Sequence, residues 1–288
     1  VVLSRWLPNL VRQDTWLALV SGRLVWTAEY ENFESYGRGL DLLADNEDIE
    51  SEGLTKRKVL AVVVRLINDL YFRVGSEESV RRYRTYGVTT LRNRHLEIKR
   101  GGRLIFSFVG KHHIRHRRII VDEELAMLIS DIKKIGGHRL FNYHDEEGKA
   151  RPISPREVND YIKAATAPEF SAKDFRTWGG TLLAAVKLAE LGVSEDEKQA
   201  KKNLVRAIKD VASHLGNTPT ICRTCYIHPL VLESYLKGTT LEEFRRRVER
   251  YAQRIEPEYQ PEELALLKML KAQSNGKSAL KQDRSQNA

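Results

Sequence analysis

The sequence predicts an α+β fold: a mainly helical lobe preceded by a small antiparallel sheet. Three observations predict it. Short runs with an alternating character fall within His95–Val121, where turn residues separate them. From Asp122 onward, Ser, Thr and Asp stand just ahead of helix-period segments, the mark of successive N-caps. The 288 residues, 41% hydrophobic and 8% aromatic, make a globular chain with room for one large domain or two ordinary ones.

Taken in order, Thr55 caps a helix through Phe72, with Val59, Leu60, Val63, Leu66, Ile67 and Leu70 on one broad face. Arg73-Val74-Gly75 ends it. His95 to Lys99 alternates, Arg100-Gly101-Gly102 turns, and Leu104 to Val109 alternates back, so the segment reads as a hairpin. Gly110-Lys111 turns again and Ile114 to Val121 forms a third strand, placing Lys111 at the tip of a turn. Asp122 starts a helix to about Lys134. Ser154 with Glu157 forms a capping box for a helix to about Ala165, and Ser171 with Asp174 forms another for a helix to about Leu191, closed by Gly192. Ser194 with Glu197 opens a helix that ends near Gly216. Thr218-Pro219 is an N-cap followed by an N1 proline, for a short helix containing Tyr226. Pro229 permits a further helix to Leu236, and Thr240–Ile255 and Pro261–Ala272 read as two more.

Lys and Arg number 48 against 39 Asp and Glu, a net charge of +9 and a pI near 9.4. Such a balance suits a polyanionic partner, most often nucleic acid. The charge is unevenly spread. Residues 1–52 hold four basic and ten acidic residues, a net of −6, which leaves +15 for the remainder. A boundary therefore falls near Gly53. It separates an acidic N-terminal segment from a basic region over residues 53–273, and the polar stretch 274–288 is expected to be disordered. Trp6, Trp16 and Trp26 read as core anchors or as stacking residues. The longest apolar run, Val59–Val64, is far shorter than the roughly 20 residues of a membrane span. No signal-peptide pattern is present, and two cysteines make no disulfide framework, which fits a reducing cytosol.

Singly, the polar residues have ordinary readings. His112, His113 and His116 lie in a basic run that can be a solvated sheet edge. A strand would scatter these histidines over both faces, which argues against zinc. Cys222-Arg-Thr-Cys225 has no second CxxC and no redox-fold context, so helix packing is the simpler reading, with an oxidation effect on the adjacent Tyr226 left open.

Read together, the pieces become specific. They are Arg73-Val74-Gly75, Tyr86-Gly87-Val88-Thr89-Thr90-Leu91, Phe108-Val109-Gly110-Lys111, Lys173-Asp174-Phe175-Arg176-Thr177-Trp178-Gly179-Gly180-Thr181, and Gly216-Asn217-Thr218-Pro219 leading to Arg223-Thr224-Cys225-Tyr226-Ile227-His228-Pro229. With these motifs in this order, residues 53 to 240 resemble the type IB DNA topoisomerases, in particular the short bacterial, poxvirus-like kind.

The resemblance implies that Tyr226 is the nucleophile forming a 3′-phosphotyrosyl link. It implies that Arg73 and Arg176 clamp the non-bridging phosphate oxygens. Lys111, on the hairpin, would protonate the leaving 5′ oxygen, and Asn217 falls where viral and eukaryotic members carry a phosphate-binding histidine. Lys173, Arg223, Arg115, Arg117 and Arg118 are the expected further DNA contacts, each equally readable as a solvated charge. Two guanidiniums suit the charge that builds on equatorial phosphate oxygens, and lysine can act as acid toward an alkoxide. No magnesium-type carboxylate cluster or Walker phosphate loop is evident, so neither metal, ATP nor another cofactor is expected. The expected partner is duplex DNA, acted on by a monomer in the bacterial cytoplasm, at the nucleoid.

Two alternatives compete with this reading. Tyrosine recombinases share the catalytic lobe but place histidine three residues before the second arginine, where this chain has Lys173. A DNA-binding module with reduced activity is the other alternative, because residues 1–52 do not align with the family's basic clamp.

Overall fold

The computed structural model describes residues 53–165 and 170–243, with residues 262, 265, 266 and 268–270. The expectations for the acidic segment 1–52 with its tryptophans, for the tail 274–288, and for most of the last two helices lie outside these residues. What is described is mainly helical with small antiparallel sheets, the α+β class expected. It divides into two compact units, one through Arg176 and the other from Thr177.

The first unit opens with α1 (Lys56–Leu70), capped by Thr55 through its side chain to the Lys58 N–H at 3.1 Å. Val59, Val62, Val63, Leu66 and Ile67 are fully buried, each contributing about 1.5–3 kcal/mol on leaving water. The helix stops at Leu70, two residues earlier than the sequence suggests, because Tyr71 turns left-handed at φ 54°. A short helix that the sequence reading missed, α2 (Glu77–Tyr83), follows. Ser76 caps it and two glutamates occupy its first turn, a local signal that was available. Strands β1 (Leu96–Lys99), β2 (Arg103–Val109) and β3 (Arg115–Val121) form one antiparallel sheet in chain order. Leu96 opposes Phe106 and Phe108 opposes His116.

Helix α3 (Glu123–Lys134) is capped by Asp122, as expected. The other carboxylate oxygen of Asp122 takes the Arg65 guanidinium at 2.5 Å, tying α1 to the start of α3. Nearby Asp69 is buried enough to push its carboxyl up to about 7, against the lowering effects of Asn68 and Arg65. The hairpin of β4 (Asn142–His144) and β5 (Ala150–Pro152) was also not foreseen. Helix α4 (Pro155–Ala165) begins at the reciprocal Ser154/Glu157 box, at 2.8 and 3.2 Å.

Helix α5 (Ala172–Leu191) contains the division between the units and ends at left-handed Gly192. Its start departs from the reciprocal box: Asp174 accepts from both the N–H and the hydroxyl of Ser171, but its own N–H goes to the Ser171 carbonyl. In the second unit, α6 (Glu197–Leu215) is capped by Asp196 rather than Ser194. The Asp196 carboxylate reaches the Lys198 N–H at 2.9 Å, and Ser194 only bonds the Asp196 carbonyl. Gly216 closes α6 left-handed. Helices α7 (Pro219–Cys225) and α8 (Pro229–Leu236) both pack on α6. Tyr226 is not inside α7 but is its C-terminal cap, so it stands at the break between two helices. Among the described residues, no helix is long and apolar enough to cross a membrane.

Candidate functional site

The first unit gathers cations from distant segments. After Tyr71 turns, its carbonyl accepts a hydrogen bond from the Arg176 guanidinium, which is itself 3% exposed. Phe72 packs edge-on against Phe106 and Phe108, with centroids 5.3 and 5.1 Å away. Arg73 follows. Its carbonyl accepts from the Val88 N–H at 2.8 Å, and the Val74 carbonyl takes both the N–H and the hydroxyl of Thr89 at 2.9 Å.

This clamp needs two glycines. A Cβ on Gly87 would lie 2.5 Å from the Arg73 carbonyl oxygen and from the Gly75 nitrogen. Gly75 is itself at φ +92°. The clamping loop is pinned in turn by Arg139, which donates to the Thr90 carbonyl at 2.7 Å and pairs with Glu77.

Lys111 is exposed on the turn between β2 and β3, at the predicted position. Gly110 donates to the Ile114 carbonyl at 2.8 Å, and His112 and His113 follow in left-handed conformation. Arg73 and Lys111 line one cavity of about 520 Å³ with Ser76, Ser79, Tyr86 and His113. Tyr86 is held edge-on to His95 at 4.4 Å and takes Arg92 over its ring at 5.8 Å.

The electrostatics match a cationic site. Burial, with Arg118, Arg73 and Arg176 nearby, pushes the His116 imidazole down to about 4. Burial, with Arg94 and Arg92, does the same to His95. Burial lowers the Arg118 guanidinium and raises the Asp174 carboxyl. Arg176 is a buried guanidinium, and a charge taken out of water costs free energy unless acceptors offset it, as the Tyr71 carbonyl does in part. Strand alternation separates the expected basic contacts: Arg115 and Arg117 are exposed on one face of β3, while Arg118 and His116 are half-buried on the other.

In the second unit, a Cβ on Gly180 of α5 would lie 2.5 Å from the Tyr226 carbonyl oxygen. The Thr181 hydroxyl donates to the Thr177 carbonyl at 2.8 Å and accepts from the His228 N–H at 3.2 Å. The Tyr226 N–H caps α7 on the Cys222 carbonyl at 3.0 Å, and the His228 ring caps α8 through the Leu230 N–H at 3.2 Å. Asn217 is half-buried, its N–H on the Ala212 carbonyl at 2.9 Å, immediately before the Thr218 cap. The half-buried Tyr226 side chain therefore sits where a helix ends, with its backbone fixed from both sides.

Arg223 is exposed on α7 and Lys173 is exposed near the start of α5. Cys222 is buried and Cys225 exposed, both as free thiols. Arg73, Arg176, Lys111 and Lys173 thus belong to the first unit; Asn217, Arg223 and Tyr226 belong to the second. Sequence reasoning gave no role to His116, Tyr86 or Thr181. The signal for His116 was its place opposite Phe108 in the alternation.

Comparison with known proteins agrees with the motifs. Residues 44–255 match the family model described as the catalytic core of eukaryotic DNA topoisomerase I. The chain is 31% identical to the DNA topoisomerase 1B of Acanthamoeba polyphaga mimivirus over 187 residues, 62% of this chain and 55% of the viral protein. It is 24% identical to the DNA topoisomerase 1B of Vaccinia virus (strain Copenhagen) over 208 residues, 69% and 63% of the two chains. It is also 30% identical to DNA topoisomerase 1 of Daucus carota over 152 residues, 52% of this chain and 18% of that one. The chain therefore spans between half and two thirds of the length of the viral relatives it matches.

Proposed function

The chain belongs to the type IB DNA topoisomerase family, and from that premise we propose that it relaxes supercoiled duplex DNA by cutting and rejoining one strand. In this reading, the Tyr226 phenol oxygen attacks a backbone phosphorus. The Oη–P bond forms as the bond from phosphorus to the 5′ oxygen breaks, the phenol proton passes to solvent, and Lys111 protonates the leaving 5′ oxygen. Arg73 and Arg176 stabilise the non-bridging oxygens, where the negative charge grows. Planar, permanently charged donors match those oxygens in pairs, and each preorganised donor contributes several kcal/mol at the transition state.

The 3′-phosphotyrosyl ester conserves the phosphodiester bond, so the freed 5′ hydroxyl can reverse the step without ATP. Asn217 donates one hydrogen bond to the phosphate and, unlike histidine, cannot shuttle a proton at neutral pH. Lys173, Arg223, Arg115, Arg117 and Arg118 contact the backbone, which positions the enzyme without reading sequence.

The observation that carries this reading is the cationic corner of the first unit. There a 3%-exposed Arg176 donates to the Tyr71 carbonyl, two residues before the backbone-clamped Arg73, and Arg73 shares a cavity with Lys111. The catalytic region is assigned to residues 53–273, acting as a monomer without metal or cofactor in the cytoplasm, at the nucleoid. Asn217 supports the bacterial-type subgroup, although the relatives named above are viral and plant proteins. Lys173, in place of the recombinase histidine, favours relaxation over site-specific strand exchange.

The test incubates the protein with supercoiled plasmid in EDTA and no ATP. A ladder of relaxed topoisomers is expected. Strand exchange at one defined site without a ladder supports a recombinase instead, and DNA binding with no change in topology supports a non-catalytic module.

A further inference from the structure

His116 has no place in the reaction just described, yet its surroundings are unusually specific. Its ring lies on the inward face of β3, stacked on Phe108 with centroids 5.1 Å apart and planes 26° from parallel. Its edge occupies the space a side chain at position 110 would need: a Cβ there would meet Nε2 at 2.5 Å and Cδ2 at 2.6 Å. Gly110 immediately precedes Lys111 and opens the turn through its bond to the Ile114 carbonyl, at 2.8 Å. Phe108 packs in turn on Phe72, the residue before Arg73. A continuous stack, Phe72 to Phe108 to His116 to Gly110, therefore joins the segment bearing Arg73 to the turn bearing Lys111, all within the first unit.

We infer that His116 is a positioning residue whose imidazole is the seat of the Gly110-Lys111 turn and so sets where the Lys111 ammonium is delivered. The inference rests on the general-acid reading of Lys111. His116 does not itself supply the proton, since burial and three arginines hold its imidazole neutral at ordinary pH. A flat ring of this size fills the gap above a glycine, whereas a smaller side chain leaves the turn free to settle about an ångström away. Displacements of that size can cost about a hundredfold in rate.

The experiment compares single-turnover cleavage of two duplexes at a site first mapped with the wild-type protein. One carries the ordinary 5′ oxygen at the scissile phosphate, the other a bridging 5′ sulfur. A thiolate leaves without protonation far more readily than an alkoxide, because a thiol's pKa is about 8.5. The sulfur duplex thus removes the need for the acid. The expected result is that His116→Ala slows cleavage of the oxygen duplex at least tenfold and comes within about threefold of wild type on the sulfur duplex. His116→Phe, which keeps a flat ring between Phe108 and Gly110, stays within about threefold of wild type on both duplexes.

Lys111→Ala is the control. If sulfur fails to restore Lys111→Ala, the acid reading itself fails and this inference falls with it. If sulfur restores Lys111→Ala but not His116→Ala, the lysine reading stands and the inference is overturned, because His116 then acts on the phosphate or on folding. Full activity of His116→Ala on the oxygen duplex overturns it as well. Gly110→Ala is a second probe that keeps histidine at 116 but drives a methyl against its ring. It should show the same selective loss on the oxygen duplex, and equal loss on both duplexes counts against the inference.

Discussion

In the unit ending at Arg176, the cationic side chains come from segments far apart in sequence, whereas in the unit beginning at Thr177, Asn217 and Tyr226 share one cap, turn and short helix. Arg176 reaches the Tyr71 carbonyl across 105 positions. Arg73 is held by backbone bonds from the Val88 loop, and Gly110, just before Lys111, lies against the His116 ring on β3. Tyr226 instead owes its placement to the end of α7, the proline-led start of α8, and the small surface of Gly180. The contrast teaches that charge is positioned here by tertiary closure and Tyr226, the proposed nucleophile, by local helix termination. The two should respond differently to the same kind of damage.

The largest expected effect tests the nucleophile. Tyr226→Phe should abolish the SDS-trapped covalent DNA adduct while leaving DNA binding within about twofold, since only the attacking oxygen is lost. Filter binding and gel analysis of the adduct check both halves. Next come the cations: Arg176→Ala and Arg73→Ala should each slow cleavage by about 10² to 10³, and Arg176→Lys should restore little because one ammonium cannot replace a planar fork. Single-turnover rates decide it, and unchanged rates in either alanine variant remove that residue from the clamp.

A matched pair of overpacking changes then sharpens the comparison between units. Gly87→Ala and Gly180→Ala each place a methyl 2.5 Å from a backbone carbonyl oxygen, that of Arg73 in the first unit and that of Tyr226 in the second. Both should destabilise by about 1–3 kcal/mol. Gly87→Ala should displace the phosphate clamp and weaken binding of a non-cleavable duplex, while Gly180→Ala should slow adduct formation with that binding retained. Equal loss of binding in both variants would break the distinction. Asn217→Ala should cost about tenfold in cleavage, less than either arginine, since one hydrogen bond is removed.

The smallest effect is on the pH dependence of stability. His95 and His116 are pushed down to about 4 in the folded state from 6.5. The unfolded chain then binds more protons between these values, so stability rises with pH from about 4 to 6.5 and is lost on acidification through that window. Asp69, pushed up to about 7, acts in the opposite sense: its contribution is present below about 4 and lost as pH rises toward 7. Denaturant midpoints across pH 4 to 7 should therefore steepen in Asp69→Asn and flatten in His95→Gln.

Much of this was legible in the linear chain. Thr55, Asp122, Ser154 and Thr218 cap helices where expected, the first and third strands lie within the predicted runs, the second starts one residue early at Arg103, and Lys111 sits at the turn between the second and third. Where the reading slipped, the competing signal was equally local. Asp196 displaces Ser194 as a cap because its carboxylate reaches the Lys198 N–H, and α2, at seven residues or about two turns, is too short to show a helical period. The short β4–β5 hairpin offers only three residues a side, too few for a visible alternation.

The sequence by itself determined the order and type of most elements and the family motifs. These depend on caps, turns and proline geometry acting within a few residues. Only the tertiary structure decided that Gly75 lies against Gly87, that Arg176 donates to the Tyr71 carbonyl, and that His116 rather than its histidine neighbours lies against Gly110. Such contacts arise when burial of α1 and the sheet brings remote backbone within van der Waals distance, and no pattern along a single segment encodes which remote atoms will meet.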